Sequence, residues 1–137
     1  MENHGGIWGK RFKLMRERCE AMRTIWTQEK ASYHGEFVNF DDIWSWPKPA
    51  QQPHPRIFIG GDAPRTLDRV MTYGDGWIPM LADHPDHDRW DERLAMMAEL
   101  RQRTDDAGRD AMPITTFGTP RDPDRIAHFR PESRPRR

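Results

Sequence analysis

The sequence predicts an α/β fold with about three parallel strands, flanking helices and a sheet that does not close on itself. Three observations carry this reading. Two short apolar runs, Ile57-Phe58-Ile59 and Trp77-Ile78-Pro79-Met80, have the length and β-branched content of strands buried on both faces. Between them lies a helical pattern with Leu67, Val70 and Met71 on one face, so strand, helix and strand make a parallel crossover. Longer helical patterns over 10–27 and 88–107 bracket that unit.

Each element has its own signal. Over 10–27, Phe12, Met15, Cys19, Met22 and Trp26 recur at spacings of three and four, which makes one apolar stripe. Residues 31–40 read as a hairpin or extended excursion around Gly35. Residues 41–55 hold Trp44, Trp46, Pro47, Pro49, Pro53 and Pro55, a stiff connector that cannot be helical. Gly60-Gly61 allows a tight turn after the 57–59 strand, and Pro64 suits the first turn of the next helix, which stops near Gly74. The loop His84-Pro85-Asp86-His87-Asp88 leads into the 88–107 helix, with Trp90, Leu94, Met97 and Leu100 inward and Gly108 as its cap. Pro113 to Gly118 is the third strand. Asp122-Pro123-Asp124 opens a last helix anchored only by Ile126 and Phe129. Residues 130–137, rich in arginine and proline, build no packed element and are expected to be disordered.

Bulk composition narrows the function. The 137 residues suit one domain. Basic and acidic residues balance at 22 each, which argues against nucleic acid or a membrane surface as a partner. No apolar run approaches membrane-spanning length and no signal peptide is visible, so the cytoplasm is the expected compartment. A single cysteine excludes an internal disulfide and any CxxC metal site. Six tryptophans and eight methionines indicate a packed interior despite twelve prolines.

Few residues carry chemistry. Gly60-Gly61, opening onto a helix N-terminus, reads either as an anion nest or as a plain βα turn. His84-x-x-His87 lacks a placed third ligand, so no metal is assigned. Cys19 on the apolar stripe reads as a small core residue, and Arg11 as a helix-face cation. No nucleophile, base and orienter set emerges, so no catalytic residue is nominated.

Taken together, several motifs resemble the luciferase-like monooxygenase superfamily, most closely its deazaflavin-dependent branch. They are Glu2-Asn3-His4-Gly5, the helix from Arg11 through Trp26, His34-Gly35-Glu36-Phe37-Val38, Trp44-Ser45-Trp46-Pro47, Pro53-His54-Pro55 with Ile59-Gly60-Gly61, and Asp75-Gly76-Trp77-Ile78-Pro79. The resemblance runs over residues 1–129. It implies a partial (β/α)8 barrel holding the fifth to seventh strands, an internal portion with about half the barrel absent. It also implies oxidoreduction of a small-molecule substrate with reduced deazaflavin (coenzyme F-420) or FMN. The cofactor-binding residues it points to are Gly60, Gly61, Asp62, Asn3 and His4; for Asn3 and His4 the plain reading is a frayed terminus. Such a portion is expected to be inactive and not to hold the cofactor alone. The rival reading is a non-catalytic fragment that self-associates or binds a partner through unpaired strand edges, with Trp44, Trp46 and Trp77 partly wet.

Overall fold

The computed structural model describes residues 7–81, 89–118 and 122–127. They fall into two compact units that divide between Ile57 and Phe58.

In the first unit a 3-10 turn, Trp8–Lys10, leads into helix α1, Arg11–Thr27. Strands β1, Ala31–His34, and β2, Asn39–Ile43, form an antiparallel hairpin with a register shift between Ala31 and Tyr33. Asp42 lies across from that shift at φ 56°, the geometry of an extra residue bulged out of the ladder, and its N–H donates to Ser32 Oγ at 3.2 Å. The predicted stripe of α1 is only partly correct. Cys19 is buried, but Phe12 and Met22 are 39% and 38% exposed, and Glu17 is buried instead. Polar anchoring turns the helix this way. The Glu17 carboxylate accepts backbone N–H bonds from Glu36, Phe37 and Val38 at 3.2, 2.7 and 3.1 Å, and Glu20 accepts the Tyr33 hydroxyl at 2.7 Å. Gly35 leaves room for this contact, since a Cβ there would lie 2.7 Å from Glu17 Cδ. Lys48 closes the other end of α1, donating from Nζ to the carbonyls of Ile25 and Gln28, two acceptors at the end of the helix.

In the second unit strand β3, Phe58–Gly60, pairs in parallel with β4, Gly76–Ile78, through helix α2, Thr66–Tyr73. This is the crossover the sequence predicts. The 113–117 segment extends the sheet in parallel on the far side of β4 through the bridges Trp77–Ile114 and Met80–Phe117. Its ladder is broken, not continuous. Trp77 and Leu81 donate to the carbonyls of Pro113 and Phe117, and Thr115 and Phe117 donate back to Trp77 and Pro79. The absent rung is the one Pro79 would give, because proline has no N–H.

Helix α3, Trp90–Asp106, packs on α2 and ends at Gly108, φ 61°, whose N–H reaches the Asp105 carbonyl at 2.9 Å. Its buried side is Arg93, Met97, Leu100 and Thr104, with Trp90 and Leu94 half-buried. The short helix α4, Pro123–Ala127, is capped by Asp122 Oδ1 on the Asp124 N–H at 2.9 Å. The core of this unit gathers Ile59, Leu67, Val70, Tyr73, Trp77, Leu81, Met97 and Leu100.

Two expectations need correction. Trp44 and Trp46 are exposed, but Trp77 is wholly buried, since it lies on the central strand with a neighbour on each side. Pro64 sits in a turn ahead of α2 rather than in its first turn, because the Thr66 N–H first closes that turn on the Ala63 carbonyl at 2.8 Å. Phe129 and the 130–137 tail lie outside the described residues.

Candidate functional site

The site grows from the C-terminal end of β3. The strand is held by burial of Ile59, and its last residue, Gly60, is exposed. A Cβ on Gly60 would meet nothing within 4 Å, so the surface over this residue is open. Gly61 adopts φ +106°, a left-handed geometry that a side chain disfavours, and this reverses the chain toward α2.

The turn is fixed from two directions. Trp77, buried beside it, donates from Nε1 to the Gly61 carbonyl at 2.7 Å, while the Gly61 N–H reaches the Ile78 carbonyl at 3.3 Å. Arg93 comes from α3. Its side chain is 8% exposed, Nε donates to the Met80 carbonyl at 3.2 Å, and Nη2 pairs with the Asp62 carboxylate. Arg93 Nη1 is buried and makes no hydrogen bond among the described residues; the exposed Glu92 carboxylate lies 3.7 Å from it.

This geometry changes what the glycine pair offers an anion. The Gly61 N–H is already committed to Ile78. Among the described residues, the amides of Asp62, Ala63 and Arg65 donate to no carbonyl, and these three lead into the positive end of α2. The donor set is therefore the stretch after the glycines. Gly60 supplies clearance and Gly61 supplies the reversal.

The comparisons with known proteins agree with this architecture. The family model for luciferase-like monooxygenases matches residues 1–131. The chain belongs to the luciferase-like monooxygenase family. An uncharacterized protein of Mycobacterium tuberculosis (strain ATCC 25618 / H37Rv) is 36% identical over 129 residues, 93% of this chain and 43% of that protein. The FMNH2-dependent dimethylsulfone monooxygenase of Pseudomonas putida is 39% identical over 69 residues, 50% of this chain and 19% of the enzyme. The F420-dependent hydroxymycolic acid dehydrogenase of Mycobacterium tuberculosis is 27% identical over 113 residues, 82% of this chain and 28% of the enzyme. Among solved structures, the monooxygenase RslO1 from Streptomyces bottropensis superposes with a TM-score of 0.65 at 22% identity, covering 80% of this chain and 33% of that one. An F420-dependent secondary alcohol dehydrogenase gives 0.60 at 19% identity, covering 81% and 32%. The chain thus spans less than half the length of these relatives, and its fold is part of the family's α/β barrel, with no closed barrel among the described residues.

Within this luciferase-like segment the structure brings Gly60, Gly61 and Asp62 together in one braced turn. Asn3 and His4 lie outside the described residues, as do His84 and His87. Among the described residues no group of three or more metal-ligating side chains gathers, and no helix is long and apolar enough to cross a membrane. Arg11 stacks over the rings of Trp8 and Phe12 at 4.2 and 4.3 Å. Two site residues escape sequence reasoning. Arg93 left a signal, since it falls four residues before Met97 on the buried side of α3. The Trp77 bond to Gly61 joins residues 16 apart, and no local pattern announces it.

Proposed function

We propose that this chain is a portion of a flavin- or deazaflavin-dependent oxidoreductase in which the 60–65 turn receives the phosphate-bearing part of the cofactor. The observation that carries the reading is the open backbone at Gly60 beside three amides that donate to no carbonyl among the described residues and a buried arginine. That set fits a phosphate group: amides for its oxygens, a helix N-terminus and guanidinium for its charge, and clearance over Gly60 for its approach. Relatives named for FMNH2 and for F420 support the cofactor class. Such a cofactor supplies hydride or oxygen chemistry when bound, while the protein binds and orients it. In this reading Gly60, Gly61 and Asp62 shape the phosphate end of the site, and Asn3 and His4 line the ring.

The isolated chain holds too little of the site to bind the cofactor tightly or to turn over. Titration of FMN against the purified chain, followed by flavin fluorescence, tests this. Weak or unsaturable binding is expected; a one-to-one, sub-micromolar complex would overturn it.

A second reading has an observation of its own. Among the described residues, no strand pairs with the outer edge of β3, and Phe117, on the opposite outer segment, and Met80, just after β4, are 63% and 52% exposed. Unpaired backbone beside apolar surface favours association. In this reading the chain is non-catalytic and self-associates through those edges, and sedimentation velocity over a concentration series tests it.

A further inference from the structure

Arg93 is an unusual residue for the inner face of a helix. Its side chain is 8% exposed, on the side of α3 that carries Met97 and Leu100. Burying a guanidinium is costly unless its charge and donors are matched. The match is incomplete: Asp62 takes Nη2 and Met80 takes Nε, but the buried Nη1 makes no hydrogen bond among the described residues and has the Glu92 carboxylate only at 3.7 Å. Asp62 is the more exposed member of the pair, at 27%, and its own N–H is one of the three uncommitted amides of the turn. The Asp62 carboxylate therefore sits where an incoming anion would need the same cation. As a negative charge beside those amides, it also opposes that anion.

We propose that Arg93 is the cation of the 60–65 anion site and that the Asp62 carboxylate is its built-in competitor, displaced when a phosphate monoester binds. This rests on the reading that the turn receives a phosphate. A phosphate monoester carries up to two negative charges and three acceptor oxygens. It can take over the Nη2 donor, engage Nη1, which makes no hydrogen bond among the described residues, and accept from the turn amides together. Asp62 then swings toward solvent, a small movement for a short, partly exposed side chain.

The test compares the wild-type chain with Asp62→Asn, Arg93→Gln and Arg93→Lys, following the backbone amides of residues 60–66 by NMR. Inorganic phosphate and FMN are titrated separately. Removing the competing charge is expected to tighten binding of both probes by about tenfold or more at low salt. Arg93→Gln is expected to lose binding and Arg93→Lys to retain part of it. A purely structural brace gives the opposite sign, since breaking the Asp62 contact would loosen the turn and weaken binding. Equal or weaker binding by Asp62→Asn, with wild-type binding intact, overturns the competitor role and leaves the phosphate reading standing. A gain confined to inorganic phosphate overturns the assignment to a monoester. No perturbation of residues 60–66 in either the wild type or Asp62→Asn overturns both. Asp62→Asn is nearly isosteric at a partly exposed position, so the comparison holds even where Arg93→Gln does not fold.

Discussion

Replacing Glu17 is expected to release the hairpin loop of the first unit. Its carboxylate is 6% exposed and accepts three backbone N–H bonds, from Glu36, Phe37 and Val38. Hydrogen bonds to a charged group contribute roughly 1.5–3 kcal/mol each, which would sum to several kcal/mol. Glu36 is exposed and Phe37 and Val38 are half-buried, so the freed loop amides can be partly rehydrated, and Glu17→Ala is expected to cost about 3–4 kcal/mol locally. Glu17→Gln should cost less, about 1–2 kcal/mol. Its carbonyl can keep the bonds from Phe37 and Val38, both made to Oε2, while its NH2 faces only the Glu36 N–H, the longest of the three. Native-state amide exchange reads this directly. Exchange at Phe37 and Val38 should accelerate by several hundredfold in Glu17→Ala and about tenfold in Glu17→Gln. Protection at those amides unchanged within threefold, in a folded Glu17→Ala chain, would refute the role given to this carboxylate.

Other expectations are equally concrete. Burial and the hydrogen bond to Glu20 push the Tyr33 hydroxyl up to about 12. A raised folded-state value means the stabilisation is present below the unfolded value of about 10 and is lost as pH rises toward the folded one. Ultraviolet titration should show Tyr33 ionising late, and Glu20→Gln should move it down. Gly76→Ala and Gly60→Ala should diverge by thermal melting. A Cβ at Gly76 would lie 2.6 Å from Phe58 Cε1 and 2.7 Å from the Pro113 carbonyl, whereas one at Gly60 meets nothing. The first should cost about 2–4 kcal/mol and the second less than about 0.5. Acrylamide should quench most tryptophan emission, with Trp44 and Trp46 exposed, and spare a fraction from buried Trp77 that Trp77→Phe removes.

What could be read from the sequence is what short-range chemistry controls. The crossover from Phe58 to Ile78 was legible because Gly60-Gly61 and Gly74 punctuate two apolar runs. Gly108 announces its cap, and Asp122-Pro123-Asp124 its helix start. The face of α1 was not legible. Periodicity assumes that apolar groups choose the buried side, and here Glu17 and Glu20 choose it through bonds to residues 13 to 21 positions away. The glycine turn was visible as a turn, but its bracing was not. An arginine on a helix gives no sign of its carboxylate partner 31 positions earlier, nor a tryptophan of the carbonyl its indole meets. Pro79 shows the converse, since one residue known to lack an N–H accounts for the broken ladder beside β4.

The central claim is that the 60–65 turn receives the phosphate end of the cofactor, and comparing FMN with riboflavin addresses it most directly. The two share the ring system and differ only in the phosphate. Each is titrated into the isotopically labelled chain while the backbone amides are followed. FMN is expected to shift Asp62, Ala63 and Arg65 in a dose-dependent way, while riboflavin leaves them in place. Equal shifts from both ligands, or FMN shifts that leave residues 60–65 untouched, would contradict the assignment.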